Sequence, residues 1–469
     1  MSEKFKVLIV GGSIAGLTLA HCLEKLGISY EILEQGDDIC PQVGASVGIL
    51  PNGAPVLDQL GLFDDIEKVI QPLEFARIRY RDGFFFESQY PNVLRARFGY
   101  PLAFLERQKF LAILYDRLNG KDRIQTGQGV VSIEDRGDRV VAKTTDGKEH
   151  WGHLAVGADG VHSIVRSELW RHANNAQPGR ITSREMTALR VDYACVYGIS
   201  SGVPGVQGGI QLSLLDNGVT IHVFNGKNRK VYWFVIVKTD RRYAYTDRPR
   251  FTTDDARKVC DDLKLKKLDD SVGFGDIWAN CDAFTMTPLE EGWFNIWHFG
   301  RMVCIGDAVR KITPNIGQGA NMAIEDAAAL ANALWRGDLD RAMADTAVMH
   351  DLVSAVSATR LARTNRVCRQ SEFLTRLQAN NSLFKSLLGR YVLPALHDIP
   401  AGSSAAVVAG TQLLAFVDPP ARALRDMSWW TWLNILRAFA PKLHVLILVG
   451  AAALIAWLGV QILTWIYMY

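Results

Sequence analysis

Residues 306–327 read GDAVRKITPNIGQGANMAIEDA. Asp307 closes an apolar run, Pro314 interrupts the stretch, and Gly317 and Gly319 stand before a helix-like segment. A helix start with bare backbone N–H groups attracts a negative group. A carboxylate at a strand end accepts hydrogen bonds from hydroxyls. This pairing therefore suits the ribitol hydroxyls and pyrophosphate of a cofactor. No H-E-x-x-H motif or Cys/His cluster occurs, so no metal is expected. The seven cysteines are scattered without a C-x-x-C pair, the pattern of a reducing compartment.

A second constellation lies at the start of the chain. FKVLIVGGSIAGLTLAHCLEKLGISYEILEQ reads as strand, glycine turn, helix and strand. Gly11 makes the tight turn, Gly12 follows it, and Gly16 lets the helix approach the sheet. Ser13 occupies the position of the motif's second glycine, where its small side chain still leaves a backbone N–H. Glu34, at the end of the second strand, is placed to bind a ribose hydroxyl pair. No second unit of this kind follows, so one dinucleotide domain is expected. Residues 48–53 read as a loop leading into a helix. In LERQKFLAILYDRLNG, Phe110, Leu111, Leu114 and Leu118 keep helical spacing. Arg107 falls in that helix's first turn, an unfavourable place for a cation unless an anion compensates. In HLAVGADGVHSIVRSELW a strand runs into Asp159 and Gly160, and a helix carries Ser163 and Arg166. Asp159 reads equally well as a helix cap and as part of a site.

These segments need a large body to hold them. The chain has 469 residues, 48% of them hydrophobic, enough for two lobes. A net charge of +3 provides no concentrated basic face, so no nucleic-acid partner is expected. The run with Arg241, Arg242, Arg248 and Arg250 reads as a solvated loop. Residues 445–460 are all apolar or glycine, and the run continues past Gln461 and Thr464 to Tyr469, long enough to span a bilayer. Trp429, Trp430, Trp432, Arg437 and Lys442 precede them as interfacial residues. One C-terminal anchor is expected, with the catalytic body in the cytosol. The shorter apolar stretch 407–417 reads as a core helix or an interfacial segment.

GGSIAG with Glu34, Arg107 in its E-R-x-x-x-L setting, GADGVHSIVR and GDA…P…GQGANMAIEDA together resemble the flavoprotein monooxygenases of the aromatic-hydroxylase type. The likeness covers roughly the first 335 residues. It implies an α/β fold: a Rossmann-like FAD-binding domain with a β-sheet substrate lobe, plus a C-terminal helical region and a transmembrane helix. The expected division is 1–170 and 301–335 for the FAD domain, 171–300 for the substrate lobe, 336–440 for the helical region and 443–469 for the anchor. The resemblance implies FAD as cofactor and NADPH as co-substrate. Glu34 would bind the adenosine ribose, the backbone near Gly48 would contact FAD, and Arg107 would meet the pyrophosphate. Asp307 would hold the ribitol, and Gly319 and Ala320 the flavin. Asp159, Gly160 and Arg166 would shape the region shared with NADPH. The family often carries histidine two residues after GDA; here Arg310 stands there, so a histidine role at that point is unavailable.

The same resemblance lends a chemistry: reduced flavin adds O2, and the flavin hydroperoxide passes one oxygen to an electron-rich carbon. Arg190, on a strand of the substrate lobe, is the candidate catalytic residue if it faces inward; the alternative is the solvent side of the pleat. His222 reads as a satisfied sheet histidine. With the apolar tail, the segments look like the fungal membrane-bound epoxidases of indole-diterpene and meroterpenoid biosynthesis. That implies a lipophilic prenylated substrate, an endoplasmic-reticulum membrane and a membrane terpene cyclase downstream. A membrane-anchored aromatic hydroxylase resembling kynurenine monooxygenase stays open, as does a non-catalytic flavin-binding membrane protein.

Overall fold

KVLIV, the strand Lys6–Val10, is almost wholly buried, as a strand covered on both faces of a parallel sheet must be. The computed structural model describes residues 4–379 and 399–423. In it this strand pairs in parallel with Ser29–Leu33 on one side and Leu154–Gly157 on the other. Met302–Cys304 adds in parallel to Leu154–Gly157, bringing the GDA turn alongside the first glycine turn. Six strands in all form this sheet. Gly11 follows the first strand with φ +104°, and a Cβ there would sit 2.4 Å from the Ala158 carbonyl oxygen. Only glycine fits both constraints. At Gly16 a Cβ would meet the Gly11 oxygen at 2.0 Å, so the helix Ile14–Leu26 reaches the sheet only because that residue is glycine.

The second lobe is an eight-stranded sheet. Its long strands are Arg190–Ser201, Lys230–Ala244 and Cys281–Trp293. It also takes Phe75–Tyr80 and Phe85–Ser88 from within the span 1–170, and Arg310–Lys311 from the return segment. The expected boundaries at 171 and 300 therefore do not follow the strand pairing. Strand alternation divides the sheet's side chains into two sets. Val196, Leu212, Ile221, Val223, Trp233 and Val235 pack with the helices Thr253–Leu263 and Phe274–Ala279. Tyr193, Cys195, Phe224, Tyr232 and Phe234 pack instead against Leu50, Leu102 and Phe104 of the first lobe.

The expected C-terminal helical region begins with the helices Leu339–Ala344 and Thr346–Gln378, the latter 33 residues long. The stretch 407–417 is not one helix. The helix Ile399–Val408 ends within it, and an irregular segment follows. Two amides bracket that segment: Gln59 bonds both the N–H and the C=O of Leu414 at 2.9 Å, and Asn332 bonds Leu413 O and Ala415 N at 2.7 Å. This part of the tail is sewn into the body through its backbone. The expected anchor, 443–469, lies outside the described residues, and no helix among those described is long and apolar enough to cross a membrane.

A buried ion cluster joins the parts. Glu325 and Asp326 sit fully buried in the helix Gly319–Arg336. Asp326 accepts from Arg310 at 2.6 Å, from Arg360 at 2.8 Å and from the Gly306 N–H at 3.0 Å. Glu325 accepts from Arg360, from Arg363 at 2.7 Å and from the Asn52 amide at 2.7 Å. Burial alone would raise the Glu325 pKa, but Arg360 and Arg363 outweigh it and hold the carboxyl below its ordinary value. Removing one partner of such a group leaves an uncompensated buried charge. Arg360→Ala is therefore expected to cost about 3–5 kcal/mol in urea unfolding near neutral pH. Because the folded pKa of Glu325 is the lower one, its contribution is complete above the ordinary glutamate range and is lost as pH falls through the folded value. The penalty of Arg360→Ala should thus shrink in acid; equal penalties at neutral and acid pH would contradict this account.

Candidate active site

The first glycine turn is held by its own acid. Glu34 accepts from the Gly12 N–H at 2.7 Å and from the Gly36 N–H at 2.8 Å. Ser13 stands at the cap position of the helix Ile14–Leu26 yet forms no side-chain cap bond. Its Oγ instead accepts from the Arg107 guanidinium at 2.9 Å. Arg107 opens the helix Arg107–Asp116, and its backbone N–H is tied to Ala45 O at 3.0 Å. The guanidinium crosses to the glycine turn, which explains a cation in a first helical turn. Burial lowers its pKa, opposed by the charges of Glu34 and Asp307. A half-buried guanidinium and an uncapped helix start thus converge on one point, and a pyrophosphate fits there.

Asp307 lies in the short turn Gly306–Ala308, whose Gly306 has φ +64°. Its carboxylate pairs with Lys311. Burial alone would lower the Lys311 pKa, but Asp307, with help from Glu290, carries it above the usual lysine value. Gln318, at the cap position of the helix Gly319–Arg336, also makes no cap bond; its side chain joins Asn52 at 2.8 Å. A Cβ on Gly319 would meet no described atom within 4 Å, so open space lies before this helix start. Ala320 follows in its first turn.

Gly48 is on a strand, Ser46–Ile49, opposite Phe104, and not in the loop expected for 48–53. Asn321 fixes that strand to the helix start. Its Oδ1 accepts from the Leu50 N–H at 3.0 Å, and its Nδ2 donates to Gly48 O and Gly317 O, each at 2.9 Å. Asn321 and the acids Glu325 and Asp326 were not among the expected site residues. The spacing of Asn321 and Glu325, one helical turn apart, is the signal that could have found them.

Asp159 does act as a helix anchor: its Oδ2 accepts from Ile164 N at 2.7 Å and Val165 N at 3.1 Å, beside the cap bond of Ser163 to Arg166 N. Its Oδ1 is buried without a hydrogen-bond partner among the described residues, and burial raises its pKa. Gly160 turns the chain with φ +76°. Arg166 is a tie within the protein: it donates to Ala308 O at 2.7 Å and Val161 O at 2.9 Å and lies 4.3 Å from the Phe294 ring centre.

Arg190 has a different place from the catalytic one expected. It pairs with Glu291 at 3.2 Å and Glu372 at 3.1 Å, with Asp192 at 3.7 Å. Surrounded by carboxylates, its charge fastens a strand end to the long helix and is not free for a developing anion. His222 is buried, with Nδ1 2.9 Å from Ser213 Oγ and Nε2 3.3 Å from Gln378 Oε1. Burial pushes its pKa down to about 4.

The sheet face toward the first lobe is aromatic. Phe104 stacks on Phe224 with centroids 3.8 Å apart, and Phe234 contacts both Phe224 and Tyr197 edge-on. Leu50, two residues beyond Gly48, belongs to the same cluster. The cofactor cradle and this apolar face are therefore adjacent.

Comparison with known proteins gives three findings. A family model described as "FAD binding domain" matches residues 4–349. The chain is 65% identical to the FAD-dependent monooxygenase terM of Tolypocladium album, over 97% of this chain and 96% of that one. It is 50% identical to the FAD-dependent monooxygenase ltmM of Epichloe festucae (strain Fl1), over 97% and 98%. Among solved structures, Klebsiella pneumoniae HpxO complexed with FAD and uric acid shares the fold, with a TM-score of 0.70, 20% identity, and 86% and 96% of the two chains covered.

Asp307→Ala and Arg107→Ala test the cradle separately. Each is expected to lower the FAD retained per purified chain, read from the flavin absorbance, while circular dichroism stays that of the parent. Full flavin content in both variants would break the residue assignment.

Proposed function

The chain belongs to the FAD-binding-domain family, and from that membership we propose that it is an NADPH- and O2-dependent monooxygenase that epoxidises the terminal alkene of a farnesylated or geranylgeranylated aromatic. The balance is NADPH, a proton, O2 and alkene giving NADP+, water and epoxide. FAD, when bound, supplies the electron transfer and the activation of oxygen. Glu34, Arg107, Asp307 and the helix starts after Ser13 and Gln318 hold it. The aromatic face excludes water from the reacting end. Arg248, which donates to the Tyr245 carbonyl at 3.2 Å near the Asp159–Gly160 turn, supplies positive charge for the phosphates of the reductant. His162, on the Tyr245 hydroxyl, has its pKa lowered by burial and adds hydrogen bonding, not charge.

The observation that carries the alkene reading is the make-up of that face. Ring hydroxylation of a phenol benefits from a base that draws off the phenolic proton. Here the titratable imidazole on the face, His222, has both nitrogens engaged, and Arg190 is tied to carboxylates. An isolated alkene needs no deprotonation and suits a lining of Phe, Tyr and Leu. The relatives named as FAD-dependent monooxygenases support the oxygen chemistry. A substrate that partitions into lipid fits the apolar tail at 443–469, which we read as a C-terminal anchor in the endoplasmic reticulum, with the body in the cytosol. An epoxide on a prenyl chain is the natural feed for a membrane terpene cyclase.

Microsomes holding the protein, given NADPH, 18O2 and a geranylgeranylated aromatic, should yield 18O in an epoxide or in the diol from its opening. Label on the ring would make the enzyme an aromatic hydroxylase instead. Bound FAD without label from any prenylated aromatic would favour a non-catalytic flavin protein. For the anchor, deletion after Pro441 should release the protein from the membrane with FAD retained; loss of flavin and fold would show the tail to be core.

A further inference from the structure

One line of polar side chains crosses the otherwise apolar face. The Tyr90 hydroxyl donates to Gln211 Oε1 at 2.6 Å, and Gln211 Nε2 donates to Ser213 Oγ at 3.0 Å. Ser213 Oγ meets His222 Nδ1 at 2.9 Å, and His222 Nε2 meets Gln378 Oε1 at 3.3 Å. Asn315, in the short 3-10 helix Pro314–Ile316 just before Gly317, donates to the same Gln378 oxygen at 2.5 Å. The line runs from beside the flavin helix start to the helix Tyr90–Phe98.

Its direction is fixed. Gln378 Oε1 can only accept, so His222 carries its proton on Nε2 and Nδ1 is an acceptor. Ser213 must then give its hydrogen to Nδ1 and accept from Gln211. That turns the Gln211 nitrogen toward Ser213 and its oxygen toward Tyr90. At the Tyr90 end the capacity left over is lone pairs on Tyr90 Oη and Gln211 Oε1, with one further N–H on Gln211 Nε2 beyond its bond to Ser213. Gln211 retains slight exposure and Tyr90 is half-buried, whereas Ser213 is sealed. The three amides, Gln211, Gln378 and Asn315, cannot pass a proton along as hydroxyls do, so the line is a poor proton relay. Burying polar groups in an apolar face costs free energy that a row of leucines would not. A row bonded through its length, with accepting lone pairs left over at its less buried end, suits a ligand that donates there.

We propose that Gln211 and Tyr90 receive the polar end of the substrate, a neutral O–H or ring N–H donor on an otherwise hydrocarbon molecule, and that Ser213, His222 and Gln378 are positioning residues that hold the Gln211 amide in the accepting direction. This deepens the monooxygenase reading and rests on it. Anchoring the donor end at a set place fixes which carbon of the chain meets the oxygen. No charged side chain belongs to the line, so a carboxylate or ammonium head finds no counter-charge in it.

The test uses the full-length, FAD-loaded protein, a farnesylated phenol and its methyl ether. Dissociation constants come from the change in flavin absorbance on binding, without turnover. The phenol should bind about five- to tenfold more tightly than the ether, the scale of one net hydrogen bond. Gln211→Leu should erase that preference with FAD content unchanged. Tyr90→Phe, which keeps the ring, should also reduce it. His222→Phe should reduce it too, although the ring touches no ligand, because the amide is released. Equal binding of phenol and ether by the parent protein overturns head-group recognition alone. So does a preference that survives Gln211→Leu. Binding of neither compound by the FAD-loaded protein overturns the prenyl-aromatic reading, and this inference with it.

Discussion

Two adjacent acids on one helix, Glu325 and Asp326, hold this molecule to a single arrangement. They bind three arginines in the protein interior, and each arginine comes from a different place: the strand after the GDA turn, and two successive turns of the long helix. Asn52 and the Gly306 N–H complete the set. Desolvating so many charges is expensive, and an apolar core of equal volume can be as stable. What the charges add is direction, since each carboxylate oxygen accepts from named donors and no slipped packing satisfies them all. The cradle inherits that definition. The GDA turn bonds Asp326 through Gly306, Asn52 of the cluster bonds Gln318 at the start of the Gly319 helix, and Asn321 on that helix holds the Gly48 strand.

The second lobe achieves its definition by alternation. A strand turns successive side chains to opposite faces. The sheet uses that to set Trp233, Val223 and Leu212 under helices, and Phe234, Phe224 and Gln211 toward the cofactor domain. In register, Ser213 lies opposite His222 and Gln211 opposite Phe224. Polar and aromatic side chains are therefore neighbours by construction. A one-residue slip would exchange the entire lining for the helix-covered set.

The sequence was most legible where function depends on a local backbone shape. Gly11, Gly16 and Glu34 act within one strand–turn–helix–strand unit, so their spacing carries the information. Arg107 announced itself by its unfavourable position, and the structure supplies Ser13 as the group it reaches. Legibility failed where the deciding partner is distant in sequence. Arg190 reads as a cation on an apolar strand that faces either inward or the solvent, and neither reading foresees Glu291, 101 residues on, which takes it. Gly48 resembles a loop residue because a four-residue strand holds too little pattern to declare itself. Asp159 had two readings, and one oxygen caps the helix while the other is buried without a partner among the described residues.

The order of the segments also bears on how the protein is made. The cradle draws on residues from Gly11 to Ala320, and the arginines that clamp it are at 360 and 363. Domains form from the amino end as the ribosome delivers them. Here the first glycine turn emerges hundreds of residues before the parts that hold it firm. Stable flavin capture is therefore a late event in synthesis, closed by a helix that runs past the end of the family domain in the chain. A ribosome that stalls before that helix leaves the cradle residues without the two arginines that clamp Glu325 and Asp326.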